Sequence, residues 1–215
     1  ILRSDALQDS GALLDASNWA SVCRSIQRLR DSSDDQSRID SPGWAQVVKT
    51  CQSVDEQGFD SLMAEASPIA SSALTFPAWA RNAATAEEFA ERDRRLMDIL
   101  RRDARAAAAF NAALLYLDYE RFSQWAGTLR PATIHEESSY RRSRIGLDVA
   151  WMMACRLGLD CGAGSGLTVS ECWSTPGCLP GSPARQVVQM RRSPLELALV
   201  DAMAQRLLSE RVVGG

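Results

Sequence analysis

Thr85-Ala86-Glu87-Glu88-Phe89-Ala90-Glu91-Arg92-Asp93-Arg94-Arg95-Leu96-Met97-Asp98-Ile99-Leu100 carries the signals that decide the fold class. Thr85 and Glu88 stand at capping-box spacing, where a hydroxyl and a carboxylate satisfy the first free backbone N–H groups of a helix. Leu96, Ile99 and Leu100, continued by Phe110, Leu114, Leu117 and Trp125, supply an apolar side. Glu88 before Arg92 and Glu91 before Arg95 are acid-then-base pairs four apart, each worth a few tenths of a kcal/mol on an exposed helix face. Run to about Trp125 without a break, the segment exceeds ordinary helix length, so a turn is expected near Arg102 or Asp103.

The flanking sequence carries the same period. Leu13, Leu14, Trp19, Val22, Cys23, Ile26 and Leu29 recur at three and four, and the polar run Asp31 to Ser37 ends that stripe. Ser41-Pro42 reads as a cap with proline at the first helical position, leading into Trp44, Val47, Val48, Cys51 and Val54. Together these predict a helical hairpin whose facing stripes carry Cys23 and Cys51. Pro68 and Pro77 limit the next region to a short helix near 60–66. After Pro131 a helix over about 136–157 is expected to turn Ile145, Val149, Met152, Met153 and Leu157 inward. Ser193-Pro194-Leu195-Glu196 repeats capping box and first-turn proline, opening a last helix over 193–212 with Leu195, Leu199, Met203 and Leu207. No stretch alternates long enough for a strand. The prediction is an all-α chain, an irregular multi-helix bundle or helical-hairpin array with a disulfide-stapled C-terminal loop. It forms one domain over 1–215, with a point of subdivision near 81–85.

The 215 residues are 46% hydrophobic and 24% charged, with a net charge of −3. Such a chain buries roughly 70% of its unfolded surface, so it needs neither metal nor disulfide merely to form a core. Arginine supplies 23 of the 24 basic residues, Lys49 being the exception, but acids are interleaved with them. No one-signed surface for nucleic acid results. No apolar run approaches the roughly 20 residues of a membrane span. The chain opens Ile1-Leu2-Arg3, as expected of a mature product from which a targeting segment has been cut. A lipid anchor and the oligomeric state stay open.

Cys23, Cys51, Cys155, Cys161, Cys172 and Cys178 therefore need their own explanation. The last four follow C-x5-C-x10-C-x5-C across 155–180, a segment rich in glycine and proline and expected to have little regular structure. Structural zinc sites use close C-x2-4-C pairs, which these spacers miss. Two bridges there, with three connectivities available, and one between Cys23 and Cys51 are the favoured reading; for the latter pair, two buried thiols are the alternative. Bridges imply an oxidising compartment: periplasm, cell surface or medium.

The segment Trp151-Met152-Met153-Ala154-Cys155-Arg156-Leu157-Gly158-Leu159-Asp160-Cys161-Gly162, with Cys172 and Cys178 after it, resembles the C-x5-C…C-x5-C loop of uncharacterised exported, signal-peptide-bearing helical proteins of proteobacteria. That resemblance spans about 30 residues of the chain. It implies export and helices around a bridged loop, and supplies no catalytic residue.

Candidate chemistry is sparse. His135, the single histidine, lies before Glu136 and Glu137, which suit the first turn of a helix. It reads as a surface loop residue. Gly162-Ala163-Gly164-Ser165-Gly166 lacks the Gly-Lys-Ser/Thr ending of a phosphate loop and the central serine of a nucleophile elbow. The arginines of 92–105 read first as a self-neutralising helix face. Trp173, inside the bridged loop, together with Arg94, Arg101 and Arg105, forms the candidate partner-binding set, since tryptophan and arginine dominate interface anchors. No cofactor or metal is implied. The expectation is an exported, non-catalytic protein that binds another protein, as an envelope accessory factor or an inhibitor or immunity protein for a secreted toxin. The alternatives are an envelope hydrolase working through Glu136, Glu137 or Asp160, and a secreted effector acting by binding.

Overall fold

The computed structural model describes residues 9–31, 39–52, 80, 83–117 and 139–211, with backbone alone at 31 and over 139–143. Among them the regular structure is entirely helical: α1 Ser10–Asp31, α2 Ala45–Gln52, α3 Ala86–Arg102, α4 Ala106–Tyr116, α5 Ser139–Arg156, α6 Gly166–Trp173, α7 Ala184–Arg191 and α8 Pro194–Ser209. The chain divides into two compact units that are interleaved in sequence. One comprises Ile1–Ser71 with Asp160–Arg191, the other Ser72–Leu159 with Arg192–Gly215.

In the first unit α1 packs against α6 and α2, and α6 against α7. The helical stripe of α1 is the reason: Leu13, Val22 and Ile26 are fully buried, and Leu14 and Cys23 nearly so. Close approach of α1 to α6 depends on Gly166, whose missing side chain leaves room for the Asp15 carbonyl oxygen and for Trp19. Before α2 the chain makes a turn in which the Trp44 N–H donates to the Ser41 carbonyl at 3.0 Å, and the helix begins only at Ala45. Pro42 therefore sits in that turn rather than at the first helical position.

Buried Trp44 meets Trp173, the last residue of α6, edge to face at 4.7 Å between ring centroids. Such pairs add about 0.5–1.5 kcal/mol beyond their burial. All six cysteines are bonded. Cys23 joins Cys51 with Cα atoms 5.0 Å apart, Cys172 joins Cys178, and Cys155 pairs with Cys161. The adjacent-pair connectivity is one of the three the spacing allowed. The 155–180 segment is more regular than expected, because Ser165 caps α6 by accepting from the Thr168 N–H. After α6, Thr175 Oγ1 donates to the Glu171 carbonyl at 2.7 Å, and Gly177 takes the left-handed φ of +75° that favours glycine.

Closure of a longer loop removes more entropy from the unfolded chain. Cys23–Cys51 spans 28 residues and Cys172–Cys178 spans 6. Replacing the first pair by alanines is expected to cost about 3.5 kcal/mol and the second about 2 kcal/mol. Urea unfolding of the two double variants checks the order; a larger loss from Cys172 and Cys178 would contradict it.

In the second unit α4 packs on α3 and α5, and α5 on α8. The capping box is realised: the Glu88 N–H donates to Thr85 Oγ1, and Glu88 Oε2 accepts from Thr85 N–H at 3.0 Å. Glu88 is thus committed to the cap. Arg92, its expected partner, pairs instead with Asp93 and lies over the Phe89 ring, whereas Glu91 does take Arg95. The helix breaks at 103–105, where the sequence placed its turn. Alanine-rich α4 is buried nearly all round and seats its end against α5, where Gly146 leaves room for the Leu117 carbonyl. On α5, Ile145, Val149, Trp151 and Met153 are fully buried. Arg192 enters the same interior, 2.6 Å from Asp148 and 3.8 Å from Glu196. Leu195, expected inside, is 42% exposed: it shares the face of Leu199 but sits in the first turn of α8, at the end of the buried stripe. No helix of the described residues is long and apolar enough to cross a membrane.

Candidate functional site

Besides the buried Arg192 cluster, two places in the described structure bring charged side chains together. The first lies in the disulfide-bearing unit, where the glycine-rich loop feeds α6. Three of its backbone donors are taken by side chains of the protein: the Gly166 N–H donates to Asp15 Oδ1, the Thr168 N–H to Ser165 Oγ, and the Gly162 N–H to Asp160 Oδ1 at 2.9 Å. A helix N-terminus attracts anions, and here the anion is the protein's own Asp15. Burial raises the Asp15 carboxyl above its ordinary value; the Gly166 N–H pulls it down, and the charge of Asp160 adds to the rise.

A carboxyl raised in the folded state contributes stability that is complete below its unfolded pKa of about 3.9 and lost as pH climbs through the folded value. Asp15→Asn keeps an oxygen acceptor for Gly166 and removes the charge. It is expected to melt above wild type at pH 7, with the difference closing as the pH approaches about 4. A lower melting temperature at pH 7 would refute that account. Asp103, at the α3–α4 corner, behaves oppositely. The Arg105 side chain holds its carboxyl below the usual range against the opposing effect of burial, helped by the Arg105 N–H and the charges of Arg105 and Arg211. Its contribution is present above the unfolded pKa and lost as pH falls through the folded one.

The second place is the outer face of α3. An open groove of about 660 Å3 is lined, among the described residues, by Arg94, Arg95, Arg101 and Arg102 with Glu91, Asp98 and Ile99. Glu91 takes Arg94 on one oxygen and Arg95 on the other, and these bonds hold its carboxyl below the usual range, Arg94 first. Arg102 Nε lies 2.9 Å from Asp98, and Arg101 lies 3.6 Å from Glu210. Arg211 closes the end of the helix, donating to the Leu100 carbonyl at 2.9 Å and to the Asp103 carbonyl.

The structure brings Arg94 and Arg101 into this groove. Arg105 stands at the following corner on Asp103, and half-buried Trp173 belongs to the other unit, against Trp44. Exposed Asp160 caps its own loop. His135, Glu136 and Glu137 lie outside the described residues, as do Trp79 and Trp125. Asp15 was missed by sequence reading: a lone aspartate on an amphipathic stripe signals nothing until Gly166, 151 positions away, arrives beside it. Among the described residues no three histidine, cysteine or acidic side chains are grouped to hold a metal. No family model, curated protein or solved structure matches the chain.

Proposed function

We propose that the chain is an exported helical protein that acts by binding another protein, as an envelope accessory factor or as an inhibitor or immunity protein for a secreted toxin. The observation that carries the reading is the bonding of all six cysteines, since disulfides persist in oxidising compartments. Binding rather than turnover is favoured by how the charged side chains are used. Those of α3 are held in place by neighbours yet remain presented to solvent, the arrangement of a recognition surface. The test is titration of the oxidised chain with a protein captured from the extracytoplasmic fraction of its source. A saturable stoichiometric complex is the expected result.

The carboxylate-hydrolase reading retains one observation in its favour. Burial first, and then the charge of Asp160, one of the acids nominated for it, raise the pKa of Asp15, and carboxyls perturbed in this way recur at functional sites. Hydrolytic turnover that Asp15→Asn and Asp160→Asn each abolish, with no partner captured, would replace the binding reading.

A further inference from the structure

We infer that the groove on α3 receives an acidic helical segment of the partner, one presenting carboxylates two turns apart with an apolar residue between them. This rests on the binding reading above and names the chemistry of what is bound. Four guanidinium groups line the groove with two carboxylates; Glu210, 3.6 Å from Arg101, adds a third, but it is shared with Arg206, so a local positive excess remains on a chain whose net charge is −3. An acidic partner is thus repelled by the molecule as a whole and attracted at this face, which orients its approach.

Spacing specifies the partner further. Arg94 and Arg101 are seven residues apart, as are Arg95 and Arg102, so along the helix the two clusters are separated by about 10.5 Å. Carboxylates at i and i+7 of a second helix match that interval. Midway lie Ile99, half-buried, and Asp98, giving an apolar seat beside a negative charge. The side chains are also held in position. Arg94, with 77% of its side chain exposed, is fixed through Nε and Nη2 on Glu91, and Arg102, 75% exposed, through Nε on Asp98. A guanidinium carries five N–H donors, so each keeps donors directed at solvent in a fork that fits a carboxylate. Ordering these side chains costs little on binding, because their internal pairs have already restricted them.

Glu91 and Asp98 argue for discrete carboxylates over continuous negative charge. A nucleic-acid backbone or an anionic bilayer would lay phosphates against both acids as well as against the arginines. A helix can place its carboxylates at the arginine clusters and leave other groups opposite Glu91 and Asp98.

The experiment uses the full oxidised chain and a fluorescein-labelled alanine-based helical peptide bearing Glu at i and i+7 with Leu between, read by anisotropy. Its counterpart has Lys in place of Glu. The acidic peptide is expected to bind and the basic one not. Arg94→Glu with Arg102→Glu should lower affinity about tenfold or more and transfer binding to the basic peptide. Arg94→Gln with Arg102→Gln should weaken the acidic peptide without that transfer, which separates charge recognition from misfolding, and circular dichroism confirms the fold. Equal binding of both peptides, or indifference to both variants, overturns the inference. So does preferential binding of phosphatidylglycerol vesicles or single-stranded DNA that the charge reversal abolishes. Should a captured partner bind the reversed variant as tightly as wild type, this inference falls and the binding reading stands. Absence of any saturable partner, with the peptide results as expected, removes the broader reading alone.

Discussion

Gly166→Ala is expected to cost the disulfide-bearing unit about 3 kcal/mol or more, at the upper end of what overpacking does. A Cβ at this position would run into the Asp15 carbonyl oxygen and lie 2.8 Å from Trp19 Cδ1 and 2.9 Å from Trp19 N. Two of those three atoms are backbone of α1, which cannot swing aside as a flexible side chain would. The helix must retreat, and retreat breaks the Asp15 bond to Gly166 together with the packing of Leu13 and Val22. Gly164→Ala provides the control, since nothing lies within 4 Å of a Cβ there. Urea unfolding followed by tryptophan fluorescence measures both. Equal midpoints for the two variants would mean that α1 and α6 do not approach at Gly166.

The second large effect lies in the other unit. Arg192→Met is expected to cost about 3–5 kcal/mol, because it removes the guanidinium 2.6 Å from a carboxylate that has no solvent exposure. Desolvating a carboxylate is expensive whether or not the cation is present; the cation offsets it. Replacing both partners by apolar side chains removes the expense with the compensation. Asp148→Leu combined with Arg192→Met should therefore lose less than the single arginine variant, a coupling of at least about 1 kcal/mol in a double-mutant cycle. Glu196 stays anchored in either background by the Ser193 N–H, which it accepts at 2.7 Å. Additive losses would show that the pair is not what holds Asp148 inside.

Both effects turn on residues that sequence could not rank. Thr85-x-x-Glu88 and Ser193-x-x-Glu196 were legible because capping is local: the partners lie three residues apart, and the structure contains both boxes. Most of the α1 stripe and of the inward set of α5 was legible because burial follows helical period, although Trp19, Leu29 and Leu157 are only half-buried. The break after Arg102 was foreseen from length, although its chemistry, Asp103 bonded to Arg105 and Arg211 reaching back over 108 residues, was not. Helices α6 and α7 were missed. Glycine and proline around the cysteines read as loop, yet an eight-residue helix can start from Ser165 and be held by Trp44 and by the bond from Arg191 to Glu171 at 2.6 Å. Those contacts are tertiary and leave no periodic trace. Of the four partner-binding candidates, Arg94 and Arg101 share a surface because they share a helix, which spacing could show. The association of Asp15 with Asp160 depends on the long return of the chain, which spacing could not.

Interleaving has a consequence for biogenesis. A nascent polypeptide emerging from a ribosome or translocation pore completes Ile1–Ser71 first, so Cys23 and Cys51 can be oxidised to each other early. The larger surface packed on α1, however, is α6, delivered only after nearly a hundred further residues have been made. During that interval the side of α1 around Asp15 and Trp19, which α6 will cover, waits open to whatever chaperone attends the emerging chain, and the early cystine holds α1 to α2.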